Sequence, residues 1–194
     1  MGYRVVSVRK KRGRILSVLL AIIVLIGILT AGVHFGVRLL LYPMKYDDLV
    51  KRYAQEYGLQ ESLVYAVINS ESSFDPDAYS KAGAMGLMQL TPETFQWLQT
   101  KTGEKLDDNR LYEPDVAVKY GCLLLKLNLD EFSNIPAAIA AYHAGRTRVA
   151  GWLTDERYSS DGHVLKNIPY KETAKYVDSV IKKQKRYQEL YQLL

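Results

Sequence analysis

Residues 71–94 hold the strongest chemical signal in the chain. Glu71 ends an apolar segment, and the loop after it, with Ser80, Gly83, Gly86, Met88 and Gln89, is rich in glycine and small residues. Upstream, Leu63, Val67 and Glu71 fall at i, i+4 and i+8, so a helix here puts the carboxylate on the same side as the apolar stripe. Desolvation disfavours the ionised form at such a place, and the negative end of the helix dipole disfavours it further. A carboxylic acid that keeps its proton near neutral pH can act as a general acid. The residues alone leave a second reading open, a solvated Glu at a fraying helix end.

The elements that must position this stretch are helical by pattern. Asp47 or Asp48 is placed to cap a first helix, with Leu49, Val50, Tyr53, Ala54 and Tyr57 on one face and Gly58 to stop it. A second helix over about 61–72 is apolar around much of its circumference and is predicted to be central. Asp75-Pro76 closes it, since the residue before proline avoids the α region. Residues 75–90 read as irregular backbone or a short hairpin. Thr91-Pro92, Pro114 and Pro136 each mark a helix start, and Gly145 ends the alanine-rich helix that carries Tyr142 and His143. Val149, Trp152 and Leu153 predict a short helix, and residues 154–167 a polar loop. Ile168-Pro169 opens a long final helix with Tyr176, Val177, Val180 and Ile181 inward and Lys182, Lys183, Lys185 and Arg186 solvated. The expected fold is mainly α, with at most a small β element.

The N-terminal region differs in character. Residues 1–14 contain six Lys/Arg and no acid, and residues 15–37 contain no Asp, Glu, Lys or Arg. As a helix, that run of 23 residues extends about 34 Å, enough to cross a hydrocarbon core of about 30 Å. It exceeds the 7–15 residues of a signal-peptide apolar region, and no clean small-x-small cleavage site follows it. The expectation is an uncleaved transmembrane signal anchor over 15–37, a cytoplasmic basic tail over 1–14, a linker over 38–46 and an extracytoplasmic domain over 47–194. A cleaved signal peptide is the competing reading.

The net charge of +5 suggests an anionic partner, but the tail accounts for six of the 26 positive charges. Residues 38–194 are left with 20 Lys/Arg against 21 Asp/Glu, so nucleic acid is a poor partner for the domain. Cys122 is the one cysteine and lies in an apolar run, which predicts a small buried hydrophobe. With three scattered His and no phosphate-binding glycine loop, no metal site and no cofactor are expected.

Several motifs then fall in a fixed order. Glu71-Ser72-x-Phe74-x-Pro76-x-Ala78-x-Ser80 is followed by Gly83-Ala84-x-Gly86-Leu87-Met88-Gln89-Leu90-x-Pro92-x-Thr94. Ala140-Ala141-Tyr142 precedes Ala144-Gly145, and then come Val149 with Trp152, Ile168-Pro169, Glu172-Thr173 and Tyr176-Val177. This series resembles the soluble-lytic-transglycosylase-like domain family over about residues 47–186. The resemblance implies a lysozyme-like fold for the part that follows the expected transmembrane helix, with peptidoglycan glycan strands as the partner. It implies cleavage of the β-1,4 bond between N-acetylmuramic acid and N-acetylglucosamine, with 1,6-anhydromuramoyl ends as product. Glu71 matches the single catalytic acid/base. Ser80, Gln89 and Tyr142 match residues lining the cleft, the tyrosine hydroxyl as a hydrogen-bond partner of the Glu, and Met88 and Glu172 match further motif positions and are expected with them to bind substrate.

There are departures from the family pattern. His143 stands where the family usually has Asn, and either keeps a contact to substrate or is a structural substitution. Thr91, Ala117, Leu124 and Ala174 also replace frequent residues. Asp75, Asp77 and Glu93 are the other nearby acids. One of them facing Glu71 would favour lysozyme-type hydrolysis, which uses two carboxyl groups about 5–9.5 Å apart. A glycan-binding or assembly protein with impaired catalysis is the remaining alternative.

Overall fold

The computed structural model describes the backbone of residues 3–193 and side chains from Ile15 onward; Met1, Gly2, Leu194 and the side chains of the basic tail lie outside the described residues. The chain divides into two compact units, residues 1–43 and 44–194. In the first, a single helix α1 (Tyr3–Leu40) contains a stretch, Ile15–Leu40, long and apolar enough to cross a membrane, its side chains mostly exposed. The helix continues three residues beyond the expected end at 37. Arg38-Leu39-Leu40 contains no breaker, and Pro43 is the first residue that cannot continue the helix.

The second unit is built from α2 (Asp47–Tyr57), α3 (Glu61–Glu71), α4 (Pro92–Thr102), α5 (Pro114–Phe132), α6 (Ile135–Ala144), α7 (Arg146–Leu153) and α8 (Lys171–Tyr191), with a 3-10 turn at Asp108–Tyr112. Among the described residues the β content is three isolated bridges, Tyr79 to Met85, Met85 to Leu90 and Ser159 to Leu165. The fold is thus mainly α, as expected.

Capping follows the sequence in part. Gly58 takes the left-handed conformation that ends α2, and Thr91 Oγ1 accepts from the Thr94 amide at 3.3 Å to start α4. Neither Asp47 nor Asp48 caps α2; Tyr46 stands at that position with positive φ. Asp47 instead accepts from Lys51 Nζ and Tyr65 Oη, both at 2.7 Å. The last helix begins at Lys171, two residues after Pro169.

Residues 62–69 of α3 are all buried, so this helix forms the centre of the unit. It packs on α8, where Tyr65 stacks on Tyr187 at 5.2 Å and Asn69 Nδ2 donates to Tyr187 Oη at 3.1 Å. Residues Ala137–Ala141, alanine at every position but Ile139, are buried and let α6 lie between α5 and α8. A second core cluster forms around the edge-on pair Phe95 and Tyr120 with Met85, Leu90, Leu98 and Leu111. Two expectations for α8 are corrected. Ile181 is exposed, and Lys183 is half-buried with its Nζ donating to the Asn69 carbonyl at 3.1 Å.

Candidate active site

Glu71 is the last residue of α3, immediately beyond its buried stretch. Ser72 Oγ donates to the Leu87 carbonyl at 2.9 Å and ties the following loop to the helix end. Ser73 and Phe74 take positive φ, and the buried Phe74 ring packs on Tyr65, so the chain reverses sharply just past the carboxylate. Gly86 (φ 71°) comes so close to the turn before α5 that a Cβ there would stand 1.9 Å from the Leu111 carbonyl oxygen. Only glycine fits this approach.

One cavity of about 570 Å³ is lined by Glu71, Ser80, Gln89, Tyr142 and His143, together with Glu93 and Arg148. Ser80 Oγ accepts from the Ala84 amide at 3.0 Å, which closes the small turn containing Gly83. Gln89 has positive φ, and its Nε2 donates to the Ala78 and Gly86 carbonyls at 3.1 and 3.0 Å. Its amide thus fastens the loop from inside. A neighbouring cavity of about 710 Å³ shares Glu93, Thr94, Leu124, Tyr142 and Gly145 and adds Trp97, over whose ring the Arg146 guanidinium lies.

Three expected assignments differ from the observed positions. Tyr142 Oη donates to the Met88 carbonyl at 2.7 Å, whereas the hydroxyl that donates to Glu71 Oε1 is that of Tyr176 on α8. Met88 is fully buried with its sulfur against Gly121, so its side chain cannot reach a bound ligand. What Met88 offers the site is its carbonyl, which anchors Tyr142. Glu172 is exposed and lines a separate cavity of about 360 Å³ with His143, Arg148, Tyr170 and Lys171, away from Glu71. His143 borders both cavities.

The electrostatics centre on Glu71, whose carboxyl is pushed up to about 7, chiefly by burial. The Tyr176 hydrogen bond and the Lys183 charge both favour the ionised form and oppose this rise. Burial pushes the Tyr142 and Tyr176 hydroxyls well up, so both remain protonated donors. Burial also holds Lys183 and His143 below their ordinary values, with the Glu71 and Glu172 charges opposing in turn. A carboxyl near 7 can give a proton to a leaving group and take one back at neutral pH.

Tyr176 and Lys183 were legible only as a register. Tyr176, Val180, Lys183 and Tyr187 fall at i, i+4, i+7 and i+11 and so share one face of α8. A lysine on that face is the signal that could have marked it. The other acids stand apart from Glu71: Asp75 Oδ1 accepts from the Asp77 amide at 3.0 Å within its own turn, and Glu93 is exposed where the two larger cavities meet.

The chain is similar to known proteins. The transglycosylase SLT domain matches residues 48–165. A soluble lytic murein transglycosylase of Salmonella typhimurium is 33% identical over 146 residues, covering 72% of this chain and 22% of that protein. The membrane-bound lytic murein transglycosylase C of Haemophilus influenzae is 37% identical over 112 residues, covering 52% and 31%. Among solved structures, an inactive mutant of the lytic transglycosylase Slt from Pseudomonas aeruginosa superposes with a TM-score of 0.69 at 35% identity, covering 76% of this chain and 24% of that one. The chain therefore spans less than a third of the length of these relatives. Tyr176 and Lys183 lie beyond the stretch that the domain matches. With a mainly helical fold around a cavity that holds Glu71, and a domain match over most of its length, this chain belongs to the transglycosylase SLT domain family.

Proposed function

We propose that this chain is a membrane-anchored lytic transglycosylase that cleaves the β-1,4 bond between N-acetylmuramic acid and N-acetylglucosamine in peptidoglycan. The observation that carries the proposal is Glu71, half-buried in a cavity, raised to about 7 and held by Tyr176. Glu71 protonates the departing glycosidic oxygen while the substrate's own N-acetyl group stabilises the positive charge at the anomeric carbon. The resulting carboxylate takes the proton of the muramoyl C6 hydroxyl as that oxygen attacks the same carbon. A 1,6-anhydro ring forms, and Glu71 regains the proton it gave. One carboxyl group suffices for both steps.

Support for anchoring comes from Ile15–Leu40, and from a relative described as membrane-bound. The basic residues 1–14 orient this helix with its N-terminus in the cytoplasm and the domain outside, by the positive-inside rule. Glycan strands near the outer face of the membrane are then the substrate.

Hydrolysis is the second reading, because Glu93 lines the same cavity as Glu71. The one charged group that shifts Glu71 is Lys183, which speaks against a second carboxylate at pairing distance. Digestion of purified sacculi by the full chain in detergent, followed by mass spectrometry, separates the two. Anhydro-ended muropeptides that disappear with Glu71→Gln support transglycosylation. Reducing-end products alone would establish hydrolysis, and equal binding without cleavage by wild type and variant would establish a glycan-binding role.

A further inference from the structure

Side chains from three helices form a contact path that ends on Glu71. His143, in the last turn of α6, lays its ring against Tyr176 of α8, with centroids 4.6 Å apart and planes inclined by 31°. Tyr176 Oη donates to Glu71 Oε1 at the end of α3. The imidazole is itself fixed, because its Nδ1 lies 3.1 Å from the Oγ1 of Thr173, a buried residue in the first turn of α8. We infer that His143 is a positioning residue for the reaction proposed above: its ring clamps the ring of Tyr176 and so holds the phenol in the orientation that bonds Glu71.

The physical basis is rotational. A tyrosine hydroxyl reaches a given carboxylate oxygen only over a narrow range of its two side-chain torsions. A ring packed on one face restricts them, and a hydrogen bond whose donor is already oriented loses less entropy when it forms. The bond favours the ionised form of Glu71. Loosening it must therefore make the carboxyl hold its proton more tightly.

Charge on His143 is not the agent. Facing the imidazole are Glu172, Lys171 and Tyr170 from the start of α8 and Arg148 from α7, across the cavity they share. Facing Glu71 are Tyr176 and Lys183 from α8 and Tyr142 from α6, with Arg148 from α7 and Glu93 from α4 lining its cavity. Burial holds His143 below its ordinary value of 6.5 and so disfavours a charged ring, and the groups that shift Glu71 are Tyr176 and Lys183. Its effect passes through packing.

The test is a titration of Glu71 by NMR in the full chain in detergent micelles, with 13C-carboxyl-labelled glutamate and the resonance assigned by its loss in Glu71→Gln. In His143→Ala the titration midpoint rises by about half a pH unit, and in His143→Phe, which restores a ring, it returns to the wild-type value. In a Tyr176→Phe background, His143→Ala adds no further shift. A midpoint that stays in place or falls in His143→Ala, as entering water would cause, overturns the inference. So does an equal shift with and without the Tyr176 hydroxyl. If His143→Ala fails to fold, His143→Gln, which keeps bulk without a ring, takes its place in the same comparisons. This titration reads Glu71 without turnover, so a chain that cleaves no glycan would defeat the proposed function and still decide the role of His143.

Discussion

Tyr176 donates a hydrogen bond to Glu71 Oε1 across 105 residues of chain. The bond joins the end of the central helix to the last one, and it opposes burial in setting the acidity of the carboxyl. Burial prevails, which leaves Glu71 near 7 instead of 4.5. The acid is thus poised by two effects of opposite sign, and each can be removed separately.

Tyr176→Phe removes the donor and keeps the ring. A hydrogen bond to a charged group is worth about 1.5–3 kcal/mol, so the alkaline limb of the kcat profile should move up by about one to two pH units. The measurement is kcat on a soluble glycan between pH 5 and 9. A limb that stays in place would show that the bond does not act on the acid.

Lys183→Met tests the other opposing influence. Lys183 favours the Glu71 carboxylate, so its removal also moves the alkaline limb upward, by less than Tyr176→Phe because the charge acts more weakly than the hydrogen bond. Stability should change little, within about 1 kcal/mol, since the lost bond to the Asn69 carbonyl is offset by no longer desolvating an ammonium group. The ranking of the two limb shifts is the measured outcome, and a larger shift in the lysine variant would contradict it.

Helices were legible in the sequence wherever a terminus or a stripe announced them. Gly58, Thr91-Pro92 and the apolar register of α3 each led to the observed element. Periodicity gave the face of each helix but not its partner. It placed Tyr176 inward without revealing that Glu71 was what it met. In residues 72–90 the backbone is irregular, with positive φ at Ser73, Phe74, Gly83, Gly86 and Gln89, so no alternation told Met88 from its neighbours. Its burial follows from the fit against Gly121, which is a tertiary contact. The capping error at Asp47 has a similar origin, because its partner Tyr65 lies on the next helix.

Gly86→Ala tests whether the loop depends on close backbone approach. The new Cβ would stand 1.9 Å from the Leu111 oxygen, at a φ of 71° that alanine adopts poorly. Neither backbone can yield without moving the loop, so a loss of at least about 3 kcal/mol is expected. Gln89, which donates to the Gly86 carbonyl, would lose its anchor as well. Chemical denaturation of the two proteins gives the difference, and a loss under about 1 kcal/mol would mean that the loop adapts.

Glu71→Gln should stabilise the domain while abolishing cleavage, and only in one range of pH. The folded carboxyl titrates near 7 and the unfolded one near 4.5. Between those values the folded state binds more protons, so stability falls as pH rises. Below pH 4.5 the group is protonated in both states and imposes no cost; above about 7 it is ionised in both, and the cost of the buried charge is fully present. From the difference in acidity that cost is on the order of 3 kcal/mol. The amide carries no charge and escapes it. Thermal unfolding at pH 4 and pH 8 therefore separates the two proteins at pH 8, with the variant melting several degrees higher, and brings them together at pH 4. Equal melting temperatures at both values would mean that Glu71 is solvated, and the acid would then lack the raised affinity for its proton on which the proposed mechanism depends.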